Sequence, residues 1–383
     1  MTWDAAAGAQ PDREGVQLEN AQVLGTDGTF RTGTVIMKDG VFGADVDSGA
    51  AALRTDATGM WLTPGFVDAH THLAWRAFDA ADRERRSPEE QARDVQLNAA
   101  RTLAAGVTSI RDAGGLTVTL AQELGGLRAA LSVQMLGPAD ARGPAHLRSR
   151  VQQLAEAGAS WIKVLATGGV GAGERVLDPV FDALELKAIH VAAAHANLPV
   201  MVHAWGGDAL TWALDSGAAS IEHAVLISDE QCRLAADRGA FVVPTVWIYT
   251  DVLSMAEFGA LPSGLAPAAR RAVEAQPLAV RRCLEAGVQL AMGTDAGLDT
   301  QHGRNLHELA ALIEAGVPVD TALLAGTAGG ARLLGRRDLG VIRPGAPADL
   351  VCFNADPRRP EVLRDPSRVV AVFVRGQRLH QAG

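Results

Sequence analysis

Two histidines separated by one residue, His70 and His72, follow an apolar run in the stretch TPGFVDAHTHLAW. Alternate side chains of a β-strand point to the same face, so both imidazoles would project together. Neighbouring imidazoles are good ligands for transition metals. A His-x-His pair by itself is also a common packing or surface feature, so the rest of the chain must decide between the two interpretations.

The middle of the chain predicts the elements that would position such a site. From about residue 61 to residue 334, short apolar runs alternate with Ala- and Leu-rich helical stretches, which indicates βα units around a parallel sheet. Eight parallel strands close into a (β/α)8 TIM-like barrel, in which catalytic groups lie at the carboxyl ends of the strands. The apolar runs number eight, and they are GFVDAHTH, VTSIRDAG, LSVQMLG, WIKVLATG, PVMVHAWG, ASIEHAV, FVVPTVW and QLAMGTDAG.

Side chains able to hold a divalent metal fall at five of these eight strand ends. They are His70 and His72 on the first strand, Lys163 on the fourth, His203 on the fifth, His223 on the sixth and Asp295 on the eighth. Imidazole nitrogens and carboxylate oxygens are the usual protein ligands of zinc and related metals. Other histidines have plainer explanations: His190 and His195 lie in a helical pattern, and His146 begins a helix. The distribution predicts a metal site at the mouth of the barrel.

Lys163 is unusual in this set, because an ammonium group is costly to bury and repels a divalent cation. One interpretation pairs it with a carboxylate. In the other, the neutral, desolvated amine adds carbon dioxide and becomes a carbamate, whose two oxygens can bridge two metals. With Asp295, that carbamate would supply the negative charge that four imidazoles lack, and the set then favours two metals over one.

Both ends of the chain have a different sequence pattern, which is typical of short strands and turns. Asp27-Gly28 and Asp39-Gly40 are hairpin signals near the start, and the stretches LGVIRPGAPADLVCFNAD and RVVAVFVRGQRLH are strand-rich near the end. Neither end has enough strands to bury a face alone. We therefore expect residues 1–62 and 338–383 to form one small β-sandwich domain, and residues 63–337 to form the barrel.

Composition limits the classes of function. The chain has 383 residues and a formal net charge of −9 without a block of Lys or Arg, so it lacks an electrostatic footprint for nucleic acid or an anionic membrane. A small-molecule substrate is the expected partner, and homo-oligomerisation stays open. No run of about 18 apolar residues and no basic-then-apolar start is present, which favours a cytoplasmic location. Three widely spaced cysteines argue against a disulfide framework.

A resemblance to a known family rests on motifs that cover nearly the whole chain in order. The chain resembles the amidohydrolase superfamily, and within it the binuclear branch with a carboxylated lysine, which includes Xaa-Pro dipeptidases (prolidases) and relatives of imidazolonepropionase. The motifs are PGFVDAHTHL, AAGVTSIRDAGG, WIKVLATGGV, VMVHAWG, SIEHA, VPTVWIY, MGTDAG and LGVIRPGAPADLV. The resemblance implies the barrel and the flanking sandwich.

The resemblance also implies a ligand set. One metal would be held by His70, His72 and Asp295, the other by His203 and His223, with carboxylated Lys163 and a hydroxide as bridges. Zinc suits these ligands, and Mn, Co or Fe can adopt the same geometry. The bridging hydroxide would attack a substrate carbonyl, and Asp295 would carry its proton to the leaving nitrogen.

Candidate substrate residues follow from position and from the same resemblance. Tyr249, the only tyrosine, lies just past the seventh strand, where prolidase-like relatives place a tyrosine against the substrate carboxylate; the alternative is a loop tyrosine with its hydroxyl in water. Trp205 would form an aromatic wall of the pocket. His302 could contact substrate or only pack, and the same holds for His307.

One departure concerns the loop after the third strand. Dipeptidase-like relatives carry a Gly-Gly-His element there that helps to hold the substrate carboxylate, whereas MLGPADARGPAHLRSR passes almost at once into a helix. Arg142 or His146 could substitute for that element. Arg111 and Asp112, at the end of the second strand, are interpreted as a structural ion pair beneath the site.

These observations favour a metal-dependent hydrolase of a carbon–nitrogen amide bond in a dipeptide, an N-acyl amino acid or a related amide. The main alternative is an imidazolonepropionase-like cyclic amide hydrolase or a deaminase, although deaminases usually work with one metal and without a bridging lysine. A phosphoester or lactone hydrolase and a non-catalytic scaffold are weaker alternatives. A scaffold would be expected to have lost ligands, and all six are present.

Overall fold

The computed structural model describes residues 15–44, 53–77, 82 and 85–381. Its strands form one mixed sheet from the two ends of the chain and two parallel sheets from the middle. The strands are β1 Val16–Leu24, β2 Phe30–Lys38, β3 Val41–Phe42, β4 Leu53–Asp56, β5 Trp61–Pro64, β6 Phe66–Thr71, β7 Val107–Asp112, β8 Arg128–Leu131, β9 Met135–Leu136, β10 Ile162–Leu165, β11 Val200–Ala204, β12 Ser220–His223, β13 Phe241–Val243, β14 Gln289–Leu290, β15 Leu350–Phe353, β16 Val369–Val374 and β17 Gln377–Gln381.

Helices connect the parallel strands. The α-helices are α1 Pro88–Ala104, α2 Pro144–Glu156, α3 Ala183–His195, α4 Gly207–Ser216, α5 Asp229–Arg238, α6 Val246–Glu257, α7 Ala266–Glu285, α8 His307–Glu314, α9 Val319–Leu324, α10 Gly330–Leu333 and α11 Pro360–Leu363. Several begin with a capping box. At Ser87 the hydroxyl accepts a hydrogen bond from the Glu90 amide, and the Glu90 carboxylate accepts one from the Ser87 amide. No helix in the described ranges is both long enough and apolar enough to cross a membrane.

The terminal sheet joins the two ends of the chain, as the sequence predicts. Its order is β17-β16-β15-β5-β1-β2-β3, with β4 also paired to β1. The antiparallel pairing of β5 with β15 sets Thr63 opposite Val351. The Asp39-Gly40 turn is a hairpin with both residues at positive φ, 53° and 81°, the conformation that glycine and aspartate tolerate best.

The parallel strands follow the chain in order, as expected for βα units. β6-β7-β8 form one sheet and β9 through β14 form the other, with every neighbouring pair parallel. Hydrogen bonds join the two sheets at both sides: the Trp161 amide donates to the Leu131 carbonyl (3.1 Å), and the Ala69 amide donates to the Met292 carbonyl (2.8 Å). The carboxyl ends of all these strands therefore lie on one side.

Three strands differ from the sequence prediction, and the seventh ends at Val243, because the apolar run FVVPTVW continues into α6 at Val246. The third is interrupted between β8 and β9, where Val133 adopts a positive φ of 61°. The eighth is only two residues long, Gln289–Leu290, so Asp295 lies beyond its end in an irregular segment. That segment is held to β6 by a bridge between Thr71 and Ala296.

The core is built mainly from Ala, Leu and Val side chains between the parallel strands and the surrounding helices. All three cysteines are buried free thiols, in agreement with the sequence expectation. The Cys232 and Cys283 sulfur atoms, on α5 and α7, lie 3.8 Å apart.

Candidate metal centre

The structure brings the predicted ligands together at the carboxyl ends of the parallel strands. Asp295 is central: its Oδ1 lies 3.2 Å from His70 Nε2 and 3.3 Å from His72 Nε2. Lys163 Nζ lies 3.3 Å from the same His70 nitrogen. The four side chains thus form one buried contact group, in which only the Asp295 carboxylate keeps appreciable exposure, at 24%.

The remaining two histidines lie on the other side of His70. The His223 ring centroid is 5.1 Å from that of His70 and 4.4 Å from that of His203. Ligand atoms of His70, His223 and Asp295 all lie within 4.8 Å of one another. The six predicted ligands therefore form a continuous cluster, as the barrel prediction requires.

Partners of the outer ring nitrogens fix which atom of each imidazole is available. His70 Nδ1 donates to Glu222 Oε2 (2.8 Å), and His72 Nδ1 donates to the Gly114 carbonyl (3.0 Å). Each bond places a proton on Nδ1 and leaves Nε2 as a free lone pair facing Asp295. This is the tautomer that a metal ligand needs.

His203 and His223 are held in complementary ways. His223 Nδ1 bonds to the Thr245 hydroxyl (2.7 Å), which leaves Nε2 free, whereas His203 Nε2 donates to the Gly168 carbonyl (3.1 Å), which leaves Nδ1 free. A β-carbon on Gly169 would lie 3.0 Å from His203 Cε1, so a larger residue there would require the His203 ring to shift by a few tenths of an ångström. The donor set of imidazole nitrogens, one carboxylate and one buried amine fits divalent metal ions.

A buried ion pair lies directly beneath His70. Arg111 Nη2 donates to both carboxylate oxygens of Glu222 (2.9 and 3.1 Å), and Ser220 donates to the same carboxylate. Arg111 and Glu222 are 0% exposed, and the Arg111 guanidinium also lies 4.4 Å from the Trp161 ring centroid. Burial opposes ionisation, but Arg111 and His70 lower the pKa of Glu222 to about 2. Glu222 is therefore a carboxylate that orients His70.

The predicted Arg111–Asp112 ion pair is wrong. Adjacent strand residues point to opposite faces, so Arg111 reaches Glu222, while the Asp112 carboxylate accepts backbone amides of Leu73 (2.8 Å) and Gly114 (2.9 Å). Asp112 thereby holds together the backbone after His72 and the backbone at Gly114, whose carbonyl accepts the His72 hydrogen bond.

A second buried network positions Asp295. Asp68 accepts hydrogen bonds from the Thr294 amide (3.0 Å), the Thr294 hydroxyl (2.7 Å) and Asn305 Nδ2 (2.9 Å). These bonds join β6 to the segment after β14, and the Asp295 amide donates to the His70 carbonyl (2.7 Å). Because the strand itself ends at Leu290, these bonds replace the sheet ladder near the site.

Three residues of the site adopt left-handed backbone conformations. The φ angles are 72° for His223, 52° for Thr245 and 55° for Asp295. Side chains larger than glycine pay a conformational cost there, and such residues persist only where surrounding contacts hold them. In each case a buried hydrogen bond described above supplies that contact.

Burial and neighbouring charges set the protonation of the ligands. Burial lowers the pKa of Lys163 to about 8 and that of His203 to about 4, and it holds the pKa of His223 well below its usual range. Burial alone would raise the pKa of Asp295, but His70 and His72 keep it well below its usual range. At neutral pH the site offers neutral imidazoles at His203 and His223, an aspartate anion and an amine that loses its proton readily.

The aromatic substrate candidates lie beside His223. Tyr249 is in the first turn of α6 and is 2% exposed, so it is neither in a loop nor in water. Its ring centroid lies 5.4 Å from Trp205 and 6.1 Å from His223. Burial raises the pKa of the Tyr249 hydroxyl well above its usual range. Trp205 is fully buried against it rather than exposed as an open wall.

The other candidates are spread more widely. His302 is 4% exposed near His72, and neither ring nitrogen makes a well-aligned hydrogen bond within the described part of the chain; burial lowers its pKa to about 3. His307 begins α8, packs on Trp247 and bonds to the Arg364 carbonyl (3.1 Å). Arg142 is exposed just before α2 and His146 lies within that helix, so the structure keeps the short connection the sequence predicts.

Comparison with known proteins decides the family. A family model described as the amidohydrolase family matches residues 61–379. The chain belongs to the amidohydrolase family. It is accordingly a hydrolase of carbon–nitrogen bonds.

Relatives of this amidohydrolase cover most of its length. An imidazolonepropionase of Mycolicibacterium smegmatis is 28% identical over 86% of the chain and 86% of that protein, and an uncharacterised protein of Mycobacterium tuberculosis is 29% identical over 84% and 86%. Among solved structures, a prolidase complexed with N-methylphosphonate-L-proline is 25% identical with a TM-score of 0.87, over 96% of this chain and 100% of that one.

Proposed function

We propose that this chain is a metal-dependent amidohydrolase that cleaves a carbon–nitrogen amide bond of a small molecule: a dipeptide, an N-acyl amino acid or a related amide. Its parallel strands would close into the (β/α)8 barrel of residues 63–337, flanked by a sandwich of residues 1–62 and 338–383. The observation that carries the proposal is the convergence of four imidazoles, Asp295 and Lys163, with each outer ring nitrogen already bonded.

The residues present fit two divalent ions. His70, His72 and Asp295 would hold one ion, and His203 and His223 would hold the other, with zinc as the expected metal and Mn, Co or Fe as substitutes. Lys163 is fully buried between Asp295 and Glu222, and its pKa of about 8 leaves the neutral amine accessible near neutral pH. The neutral amine is the form that adds carbon dioxide, so carboxylation of Lys163 as the bridging ligand is part of the proposal.

Divalent ions in such a site lower the pKa of water and polarise a carbonyl oxygen. Asp295 is the residue placed to move the proton, because its carboxylate lies in the ligand cluster and keeps the only appreciable exposure among the contacts of His70. It would accept the proton from the attacking water and deliver it to the leaving nitrogen. His70 and His72 hold that carboxylate anionic at the start of the cycle.

Substrate residues are proposed from their place beside this cluster. Tyr249 and Trp205 pack together next to His223, and their proposed contact with an apolar or ring-bearing group would require access to two side chains that are buried in this structure. His302, buried near His72, would contact a polar group of the substrate. Arg142 is exposed, and its proposed contact with a substrate carboxylate would require the chain before α2 to approach the site.

A substrate screen tests the reaction class. The protein loaded with zinc or manganese would be assayed against dipeptides, N-acyl amino acids, cyclic amides and phosphoesters, with and without a chelator. We expect turnover of amides that disappears with the chelator and returns with metal. Turnover of a cyclic amide alone would favour the alternative that the imidazolonepropionase relative suggests. Turnover of phosphoesters alone would contradict the proposal.

Replacement of Lys163 tests the bridging role. The Lys163→Ala variant should lose turnover and bind less than two metal equivalents, and added short carboxylic acids should restore part of the rate, because a free carboxylate can occupy the place of the carbamate. Metal content by plasma emission spectroscopy and initial rates would be measured together. Lys187→Ala, on helix α3, is the matched control and should keep both. Two metals and an unchanged rate in Lys163→Ala would refute the bridge.

A further inference from the structure

The N-terminus of helix α6 lacks a cap of its own. Thr245 occupies the N-cap position, but it has a left-handed φ of 52° and its side chain makes no capping hydrogen bond. The hydroxyl is bonded to His223 Nδ1 instead, at 2.7 Å. A threonine at this position would ordinarily bond to an amide of the first helical turn, so α6 begins with amides that need another acceptor.

Glu308 supplies that acceptor from helix α8. Its Oε1 accepts the Val246 amide at 2.9 Å, and its Oε2 accepts the Trp247 amide at 2.8 Å. The side chain is 0% exposed, and burial raises its pKa to about 8. A buried acid whose two oxygens both accept amides of one helix terminus is costly to bury, and its two hydrogen bonds fix that terminus in place.

The residues fixed in this way belong to the proposed site. Thr245 directly precedes the two capped amides and holds His223, and Tyr249 follows them within the same helical turn. Any shift of the helix start would move the hydroxyl away from His223 and the Tyr249 ring away from Trp205, which now lies 5.4 Å from it.

We propose that Glu308 is a positioning residue: by capping α6 it holds the Thr245 hydroxyl on His223 and sets the position of Tyr249. This inference rests on the proposed function, since His223 matters as a metal ligand. Within the described part of the chain, the side-chain hydrogen bonds of Glu308 are those to the backbone amides of Val246 and Trp247.

The Glu308→Gln variant tests the proposal while preserving side-chain size and one acceptor oxygen. Binding of Zn²⁺ to the apoprotein would be titrated against a chromophoric chelator, and KM and kcat would be measured on the best substrate. We expect the affinity for one of the two ions to fall about tenfold or more, because groups that orient a metal ligand typically contribute that much to metal affinity. KM should rise as well. Amide hydrogen exchange at Val246 and Trp247 should rise.

Asp182→Ala is the matched control. Asp182 is also a carboxylate at a helix N-terminus, where it accepts the Glu185 amide at 2.8 Å and caps α3. Its loss should lower thermal stability but leave both zinc affinities and KM unchanged. Equal losses of zinc affinity in both variants would overturn the proposal, because the effect would then be one of general stability.

A double-mutant cycle shows whether Glu308 acts through Thr245. Thr245→Val keeps the branched shape and removes the hydroxyl from His223. If the proposal holds, Glu308→Gln adds little further loss of zinc affinity in the Thr245→Val background. Fully additive losses, or wild-type zinc affinities in Glu308→Gln, would overturn it. Failure of the proposed function has a separate signature, because the unaltered protein would then bind no stoichiometric zinc.

Discussion

At the scale of single residues, the proposed ligands differ from the groups that hold them. The clustering of His70, His72 and Asp295 could be predicted because metal chemistry restricts ligands to a few residue types and a strand places alternate residues on one face. Their supports could not be predicted in the same way. Glu222 is 152 residues from His70 in the chain, and Thr294 is 226 residues from Asp68, so the pairing exists only in the folded sheet.

Local signals for these supports were nonetheless weak rather than absent. Glu222 stands next to His223 in SIEHA, and both side chains lie against His70, because the positive φ of His223 interrupts the strand alternation. A buried acid beside a ligand histidine is therefore a candidate partner for another imidazole. For Arg111, alternation points away from Asp112, which is the reason that the predicted pair was wrong.

The Glu222→Gln variant should damage both stability and metal binding. It leaves Arg111 buried without its counter-charge, which costs about 3–5 kcal/mol of unfolding free energy, and it removes the anion that orients His70. Denaturant unfolding and zinc titration would be measured.

The double variant Arg111→Met/Glu222→Gln separates the two effects of that substitution. Without the buried cation, the double variant should regain much of the unfolding free energy that Glu222→Gln loses. Its zinc affinity should remain low, because His70 still lacks its carboxylate partner. Recovery of zinc affinity together with stability would show that Glu222 serves folding alone.

At the scale of elements, the apolar runs predict the parallel strands, and the order of neighbours within each of the two parallel sheets agrees. The short break between strand β13 and helix α6 was not predicted. Only Pro244 and Thr245 separate them, so the sequence FVVPTVWIY reads as one apolar stretch, and it places Tyr249 just past the seventh strand rather than within a helix. Length and periodicity cannot divide a run that changes from strand to helix within two residues.

Close contact between elements makes one glycine near the site sensitive. A β-carbon on Gly293 would lie 2.4 Å from Val243 Cγ1 and 2.7 Å from His70 Cβ. Gly293→Ala should therefore separate β6 from the chain beyond β14, with a loss of about 1–3 kcal/mol in unfolding free energy and a large loss of activity.

Gly264→Ala is the control for that substitution, because nothing lies within 4 Å of a β-carbon there. It should change stability by less than about 0.5 kcal/mol. Denaturant unfolding and rates would be compared for both variants. A Gly293→Ala protein with normal stability and rate would mean that the two strand ends tolerate displacement.

At the scale of the whole molecule, the two ends of the chain were correctly predicted to pair with each other. β5 spans Trp61–Pro64 and pairs with β15, so the terminal sheet runs across the predicted boundary at residue 62. The domain division itself stays a prediction, as do the cytoplasmic location, the metal identity and the substrate. The location, the metal and the substrate depend on the cell, on ions and on small molecules, and none of these leaves a periodic pattern in a sequence.

A buried ion pair connects the terminal sheet to the parallel strands. Arg128 begins β8, Asp349 directly precedes β15, and their side chains are almost completely buried in a two-pronged contact. Arg128→Met should lower the unfolding free energy by about 3–5 kcal/mol, because Asp349 would stay buried without a cationic partner.

The exposed pair of Arg238 and Asp215, at 2.9 Å, provides the control for that substitution. Arg238→Ala should cost no more than about 1 kcal/mol, since solvent screens an exposed pair. Chemical denaturation would be followed for both variants by tryptophan fluorescence. A loss in Arg128→Met no greater than in Arg238→Ala would show that the connection between the two sheets does not depend on this pair.

The left-handed angles at His223, Thr245 and Asp295 bear on how such a protein can evolve. Each angle stores on the order of 1 kcal/mol, a noticeable share of the roughly 5–15 kcal/mol that keeps a typical domain folded. Glycine at any of the three would relax the backbone while removing a side chain that the proposed chemistry needs. Selection for thermal stability and selection for turnover therefore favour different residues at these positions. A protein that evolves toward higher thermal stability must gain it through substitutions elsewhere in the chain.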